Sequence, residues 1–341
     1  MNHDSSHVLH APSRPIWVVF FGTPDFAVPA LRQLAGDSRF EVRLVVTQPD
    51  RPSGRGRRLT SPPVKAAAEE LGLAVHQTDS LRTPDLRAPI AEIGADVFVV
   101  AAFGVIFGPK LLALPRRGCV NIHASLLPAY RGASPISAAI ACGEPETGVS
   151  LMVMDTGLDT GAVIAKAVVQ IEDRDTTESL TSKLAGAGAS LTATHLPGYV
   201  DGSLAAVDQP RNGASITRPM AKADGWIDWS SPANQIERQT RAMWPWPRAW
   251  TTLEGESFQI HQCSVLDLPG AEDAGTILRA GNDLAVRCGD QILVLDRVQR
   301  AGGRPIDGRE LLRTQPQLEG GRLGTDGGPS RLPGPFVTVL G

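Results

Sequence analysis

The chain has 341 residues, of which 42% are hydrophobic and 20% are charged, and its formal net charge is −3. This is the composition of an ordinary globular protein, and the length suggests about two domains. The nearly balanced charge excludes a protein that coats nucleic acid with its whole surface, although it permits a local basic patch. Since no apolar run reaches about 18 residues, we expect no membrane span.

The first half of the chain alternates predicted strands with predicted helices. Residues 1–15 lack the apolar core of a signal peptide, and we expect them to form a disordered arm. A helix is predicted over 61–73, with Ser61 as its cap. Apolar runs predict strands over 16–26 (with a break at Gly22), 40–50, 95–107 and 118–125. This alternation is typical of a mostly parallel α/β sheet, in which ligands bind beyond the carboxyl ends of the strands.

The second half of the chain changes character. Residues 147–171 predict two strands around a Gly-rich loop, and 176–202 predict one or two helices, which would complete an α/β domain over 16–202. Residues 203–221 have little periodicity and are predicted to form a linker. Short strand-like runs between turns predict a small β-barrel domain over 222–313. The Gly/Pro-rich residues 314–341 are predicted to be a flexible tail.

Three polar side chains are candidates for chemistry at the strand ends. Asn121 and His123 lie two residues apart on a predicted strand and therefore share a face. Asn can donate a hydrogen bond to an oxyanion, His can transfer a proton, and Asp159 of the Gly-rich loop can hold the imidazole in one tautomer. Each residue alone is also compatible with a purely structural hydrogen bond.

Several other reaction classes lack their usual motifs. Ser125 follows His123 closely, but the chain has no GxSxG nucleophile elbow. The four cysteines have no CxxC spacing and the histidines form no ligand cluster, so we expect no metal site and a reducing compartment. The segment GTPDFAVP lacks the GxGxxG pattern of nicotinamide dehydrogenases. The residues therefore favour acyl transfer to a nucleophile that a substrate supplies.

A basic segment, RPSGRGRRLTSPPVK, occupies residues 51–65. Its cationic side chains include Arg55, Arg57, Arg58 and Lys65, and no acidic residue interrupts them. One interpretation is a solvated surface loop, and the other is a loop that contacts the phosphates of RNA. The tryptophans and prolines of WPWPRAW, residues 244–250, predict either an interdomain corner or a ligand contact.

In these motifs the chain resembles the methionyl-tRNA formyltransferase family of folate-dependent formyltransferases. The resemblance covers about residues 16 to 313 and is carried above all by VNIHASLLPAYRG (120–132) and MDTGLDTG (154–161). It implies a Rossmann-like catalytic domain followed by an OB-like, tRNA-binding barrel. It also implies formyl transfer from 10-formyltetrahydrofolate to the methionine of initiator methionyl-tRNA, for translation initiation in the cytoplasm. We expect a monomer.

The resemblance also assigns residues to roles. It implies that Asn121, His123 and Asp159 are catalytic. The implied folate-binding residues are Ser125, Leu126, Leu127 and Pro128, with Phe103, Val105 and Ile106 at the wall of the pterin pocket, and the implied tRNA-binding residues are Arg55, Arg57, Arg58 and Lys65. The chain departs from the family pattern at Phe103, Phe107-Gly108, Trp244, Arg248 and Gly303.

Two alternatives to this function remain open. One is a formyltransferase for another amine, such as an amino-sugar nucleotide or a glycinamide ribotide. The Arg-rich loop and the second domain argue against the ribotide enzymes. The other is a non-catalytic RNA-binding protein, against which the intact set of Asn121, His123 and Asp159 argues.

Overall fold

The computed structural model describes residues 14–53, 58–268 and 271–326, together with 328–329, 334 and 336–340. The strands are β1 (Ile16–Gly22), β2 (Phe40–Thr47), β3 (Arg51–Ser53), β4 (Arg58–Thr60), β5 (Val75–Gln77), β6 (Val97–Ala101), β7 (Cys119–His123), β8 (Arg131–Gly132), β9 (Glu146–Val153), β10 (Val163–Gln170), β11 (Ser215–Thr217), β12 (Ala249–Leu253), β13 (Glu256–Leu266), β14 (Ile277–Ala280), β15 (Asp283–Arg287), β16 (Ile292–Arg300), β17 (Ile306–Asp307) and β18 (Val337–Val339). The helices are α1 (Val28–Ala35), α2 (Pro63–Glu70), α3 (Pro84–Ala91), α4 (Pro109–Leu112), α5 (Pro135–Cys142), α6 (Thr177–Asp201), α7 (Ala233–Ala242) and α8 (Gly308–Thr314).

The chain divides into two compact units whose segments interleave. The described residues of the first lie within 1–127, 148–167 and 184–209, and those of the second lie within 128–147, 168–183 and 210–341. No helix within the described ranges is long and apolar enough to cross a membrane. The predicted linear boundaries, at 202 and 222, stay a prediction.

The first unit is built on a seven-stranded sheet of order β10-β9-β7-β6-β1-β2-β5. Strands β5, β2, β1, β6 and β7 run parallel, and β9 pairs antiparallel with β7. Strands that helices cover on both faces are apolar along their length, and the central strands fit this pattern: β6 is wholly buried and β1 nearly so. The predicted mostly parallel α/β fold is confirmed.

The strand order reverses between β1 and β6, since β2 and β5 follow on one side of β1 while β6 and β7 lie on the other. Such a switch point leaves a crevice at the carboxyl ends of the strands, where ligands bind in α/β proteins. The neighbouring ends are tied together, because the hydroxyl of Thr23 donates a hydrogen bond of 3.1 Å to the carbonyl of Phe103. His123 is the last residue of β7 and therefore lies at this edge.

Two local predictions for this unit are wrong. The strand predicted over 95–107 ends at Ala101, because the backbone turns at Ala102 (φ 46°) and Gly104 (φ 79°), which no strand tolerates. The predicted cap of the second helix, Ser61, lies one residue too early. The residue at the N-cap is Pro62, and Pro63 begins the helix with the fixed φ that suits its first turn.

The second unit contains an antiparallel sheet of order β12-β13-β16-β15-β14, with β17 added to β16. Its core is formed by side chains that include Phe258, Leu295 and Leu311. The arrangement is consistent with the predicted OB-like barrel, although the strand pairings described do not close it.

Described parts of the predicted flexible tail, 314–341, belong to the folded structure. Leu318 and Leu323 are buried in the core of the second unit, and β18 pairs with β11. Strand β11 itself lies within the segment predicted as a linker, 203–221. The expected disordered arm, 1–15, lies outside the described residues except for Arg14 and Pro15.

Candidate active site

Strand β7 presents Asn121 and His123 on one face and Ile122 on the other. Ile122 faces helix α6 at Gly188, where an added Cβ atom would meet the Ile122 side chain at 2.7 Å. Because Ile122 packs against α6, Asn121 and His123 point to the opposite face of the sheet. His123 is only 6% exposed and Asn121 is half-buried, so both polar side chains lie largely out of water.

Asp159 completes the predicted set from the loop between β9 and β10. Its carboxylate oxygen Oδ2 lies 3.7 Å from Nδ1 of His123, and the two side chains are 18% and 7% exposed. This distance is longer than a hydrogen bond but within the range of an ion pair, so the carboxylate can orient the imidazole ring. The structure therefore brings His123 and Asp159 together although 36 positions separate them in the sequence.

The loop that carries Asp159 has a constrained backbone. Asp159 adopts φ 52°, a left-handed conformation that non-glycine residues rarely occupy. The carboxylate of Asp155 accepts hydrogen bonds from the Gly157 amide at 2.9 Å and the Thr160 hydroxyl at 2.8 Å. At Gly161 an added Cβ would meet the Val153 carbonyl oxygen at 1.8 Å, so only glycine fits. The close approach of the Val153 carbonyl thus explains why Gly161 is a glycine, which the sequence alone could not show.

Residues 125–128 follow β7 and are held by a hydroxyl from β9. Ser150 is fully buried, donates to the Ser125 carbonyl at 2.7 Å and accepts from the Leu127 amide at 3.0 Å. Ser125 is itself fully buried, and Leu127 packs in a small apolar cluster. Leu126 and Pro128 are half-buried. The folate-binding role of these four residues stays a prediction.

The loop after β6 separates the three residues predicted to wall the pterin pocket. Phe103 is 2% exposed and packs edge-on against Phe21 and Phe107 in the core. Val105 is half-buried against the same cluster, whereas the side chain of Ile106 is 83% exposed. Ile106 is thus the member of this group that is open to a ligand, and Phe103 supports the loop from beneath.

The basic segment is described only at its two ends, since Arg55 and Arg57 lie outside the described residues. Arg58 begins β4, which pairs with β3 as a short hairpin. Lys65 donates to both carboxylate oxygens of Asp50 at 3.0 Å, so its ammonium is engaged within the protein. Hydrogen bonds from Gln77 and Lys65 lower the pKa of Asp50.

The Ser and Cys side chains near β7 are poorly suited to act as nucleophiles. Ser125 is buried, and burial raises the pKa of the Cys119 thiol to about 12, so this thiol is protonated at neutral pH. Among the residues that the structure describes, no three His, Cys, Asp or Glu side chains are grouped to hold a metal ion.

Three residues that hold the site were missed by the sequence analysis. They are Ser150, Asp155 and Gln209, whose side-chain amide donates to the carbonyls of Asp159 and Gly161. A polar residue within the apolar strand GVSLMV was the available signal for Ser150. Gln209 had none, because it is 50 positions away from Asp159.

An imidazole beside a carboxylate can move a proton, and an amide on the same strand face can donate to an oxyanion. Fold and site together are those of an α/β enzyme suited to acyl transfer. A family model of the formyl transferases matches residues 15–196, and one of their C-terminal domain matches residues 219–316.

Comparison with proteins of similar sequence identifies the group within the formyl transferases to which the chain belongs. The methionyl-tRNA formyltransferase of Roseiflexus castenholzii is 44% identical over 308 residues, which are 90% of this chain and 98% of the relative. That of Neisseria meningitidis serogroup B is 46% identical over 293 residues, which are 85% of this chain and 94% of the relative. The chain belongs to the formyl transferase family, in the group of the methionyl-tRNA formyltransferases, and the resemblance seen in the sequence is confirmed.

Solved structures share the fold at lower identity. An N-formyltransferase from Helicobacter canadensis, solved with folinic acid and dTDP-3-aminofucose, has a TM-score of 0.64 and 17% identity, covering 84% of this chain and 99% of that chain. HypX from Aquifex aeolicus in complex with tetrahydrofolic acid has a TM-score of 0.57 and 15% identity, covering 86% of this chain and 46% of that chain.

Proposed function

We propose that this protein transfers the formyl group of 10-formyltetrahydrofolate to the α-amino group of methionine on initiator methionyl-tRNA. The observation that carries the proposal is the pairing of His123 with Asp159 at the end of β7, in a chain 44% identical to a methionyl-tRNA formyltransferase over 90% of its length. We further propose that the protein acts as a monomer in the cytoplasm.

The proposed reaction is a direct transfer. The amine nitrogen attacks the formyl carbon, and a tetrahedral intermediate forms with negative charge on its oxygen. Asn121 and protonated His123 donate hydrogen bonds to this oxygen. The bond from carbon to N10 of the folate then breaks, and the proton released by the amine passes through the site to N10. Both substrates supply the reacting atoms, so no protein atom is acylated.

Asp159 has a separate part in this mechanism. Its carboxylate lies 3.7 Å from His123 Nδ1, and we propose that it holds the imidazole in the orientation that the reaction requires. We propose that the same carboxylate takes up the amine proton, directly or through a water molecule. Residues 125–128 and Ile106 are proposed to contact the folate, with Phe103 and Val105 behind them in the pocket wall. The proposed contacts to the acceptor stem are Arg55, Arg57, Arg58 and Lys65.

The function is tested by direct formylation. The purified protein is incubated with 10-formyltetrahydrofolate and initiator methionyl-tRNA, and the N-formylmethionyl-tRNA formed is measured. Elongator methionyl-tRNA and a dTDP-amino sugar serve as comparison acceptors. We expect formylation of the initiator tRNA to exceed that of both comparisons by orders of magnitude in kcat/KM. Preferential formylation of the amino sugar would refute the proposed acceptor.

A further inference from the structure

We propose that Gln209 is a positioning residue that holds the Asp159 loop in its active conformation. The inference rests on the proposed role of Asp159. The side-chain nitrogen Nε2 of Gln209 donates one hydrogen bond to the Asp159 carbonyl and a second to the Gly161 carbonyl, both at 2.8 Å. One amide group thus binds the loop on both sides of Thr160.

The residue type suits this task. A primary amide carries two N–H donors on one nitrogen, so it can satisfy two carbonyl groups at once. Glutamate has the same shape but no donor when ionised, and its oxygens would face the two carbonyl oxygens. Asparagine has the donors, but its side chain is one methylene shorter.

The backbone around Gln209 is itself anchored. After α6 the chain turns at Gly202 (φ 87°) and returns along the sheet edge. There Val207 and Val163 exchange two backbone hydrogen bonds, of 2.8 and 2.9 Å, at the start of β10. This bridge places Gln209 two residues further on, beneath the loop that precedes the same strand.

The loop needs such an anchor. Thr156, Gly157 and Leu158 are exposed, so little apolar burial stabilises this stretch. Asp159 occupies a left-handed conformation, which is strained for a residue other than glycine. The hydrogen bonds from Gln209 act on the carbonyl of that strained residue, and its carboxylate lies 3.7 Å from His123. Gln209 therefore acts on the position of the carboxylate through the backbone of the loop.

The test measures kinetics in two backgrounds. Gln209→Met keeps the side-chain length and removes both donors. We expect it to lower kcat by about tenfold to hundredfold, the cost of a misplacement of about 1 Å in a catalytic group. KM for both substrates should change little, because ground-state binding is not involved. The control Gln170→Met removes the exposed hydrogen bond to Glu146 and should leave kcat unchanged.

The second background is Asp159→Asn. If Gln209 acts through Asp159, Gln209→Met should have an effect of less than about twofold when Asp159 is already replaced. An equal fold-loss in both backgrounds would instead assign Gln209 to general stability and overturn the proposal. Full activity of Asp159→Asn alone would remove the role of Asp159 and, with it, the positioning role of Gln209.

A measurement on the protein without substrates tests the role of Gln209 independently of the reaction. Hydrogen exchange of the peptide that spans 154–162 should be faster in Gln209→Met than in the wild type and unchanged in Gln170→Met. Gln209→Asn, with donors that do not reach, should behave like the Met variant. Unchanged exchange in both Gln209 variants overturns the proposal for Gln209 alone, whatever the acceptor of the reaction proves to be.

Discussion

The hydroxyl of Ser150, in β9, holds the loop that follows β7. It donates to the Ser125 carbonyl and orders the Leu127 amide, in a region without exposure to solvent. Because two backbone groups depend on this single oxygen, its removal leaves both without that partner in a buried environment. The predicted folate segment therefore owes its shape to a residue of a different strand.

Ser150→Ala is expected to lower the free energy of unfolding by about 1–3 kcal/mol, the cost of unsatisfied buried polar groups. Urea denaturation followed by circular dichroism measures this change. The matched control is Ser182→Ala, which removes an exposed hydroxyl that bonds within helix α6. Equal destabilisation by both substitutions would contradict the structural role of Ser150.

Asn121 is the second residue whose effect can be isolated. Its side chain lies on the same face of β7 as His123, and its proposed partner is the oxyanion. Asn121→Ala should lower kcat by about 10²–10³-fold, as for other single oxyanion donors, with little change in the KM for folate. Steady-state formylation assays provide both constants. Asn234→Ala, an exposed position on α7, is the control, and equal kcat values in the two variants would exclude Asn121 as a donor.

At the scale of elements, the short β3–β4 hairpin is anchored by one carboxylate. Asp50 precedes β3 and accepts hydrogen bonds from Gln77 at 2.7 Å and from Lys65 at 3.0 Å. These partners lower the pKa of Asp50 below its usual range. The ion pair with Asp50 thus fixes Lys65 at the C-terminal end of the basic segment. To contact tRNA as proposed, the Lys65 ammonium would have to leave this ion pair.

The lowered pKa of Asp50 makes the free energy of unfolding depend on pH in a defined direction. A carboxyl whose pKa is lower in the folded state stabilises the protein above its unfolded pKa of about 3.9, and the contribution disappears as the pH falls through the folded value. The difference in unfolding free energy between wild type and Asp50→Asn should therefore be largest above about pH 5 and shrink below about pH 4. Denaturation at a series of pH values tests this, with the exposed Asp79→Asn as control. A difference that does not vary with pH would contradict the assignment.

The alternation of elements was predictable because apolar runs mark buried strands whatever lies beyond them. Strands β1, β2, β6 and β7 and helix α6 follow from such local patterns. The end of β6 was not predictable, because apolar residues continue to Phe107 while the backbone turns at Ala102. Contacts of long sequence separation, such as Gln209 with the Asp159 loop, leave no periodic signal at all.

At the scale of the whole molecule, the negative net charge means that tRNA binding requires a local basic patch. The net charge is −3, so the protein as a whole does not attract a polyanion. A local basic patch must supply the attraction, and RPSGRGRR is the segment of the chain whose composition suits it. Binding of tRNA should consequently depend on a few arginines and on the ionic strength.

Replacement of Arg55, Arg57 and Arg58 by Gln should raise the KM for tRNA, leave kcat at saturation nearly unchanged, and flatten the dependence of log(kcat/KM) on log[salt]. Each lost phosphate contact reduces that slope by roughly 0.7–0.9, so three contacts would reduce it by about 2–3.

The control replaces Arg32, Arg43 and Arg116, exposed arginines that pair with carboxylates of the first unit. Both triple variants lose three positive charges, which takes the net charge from −3 to −6. If both variants flatten the slope equally, net charge rather than the basic segment governs tRNA binding; a slope change confined to the first variant assigns the contacts to that segment.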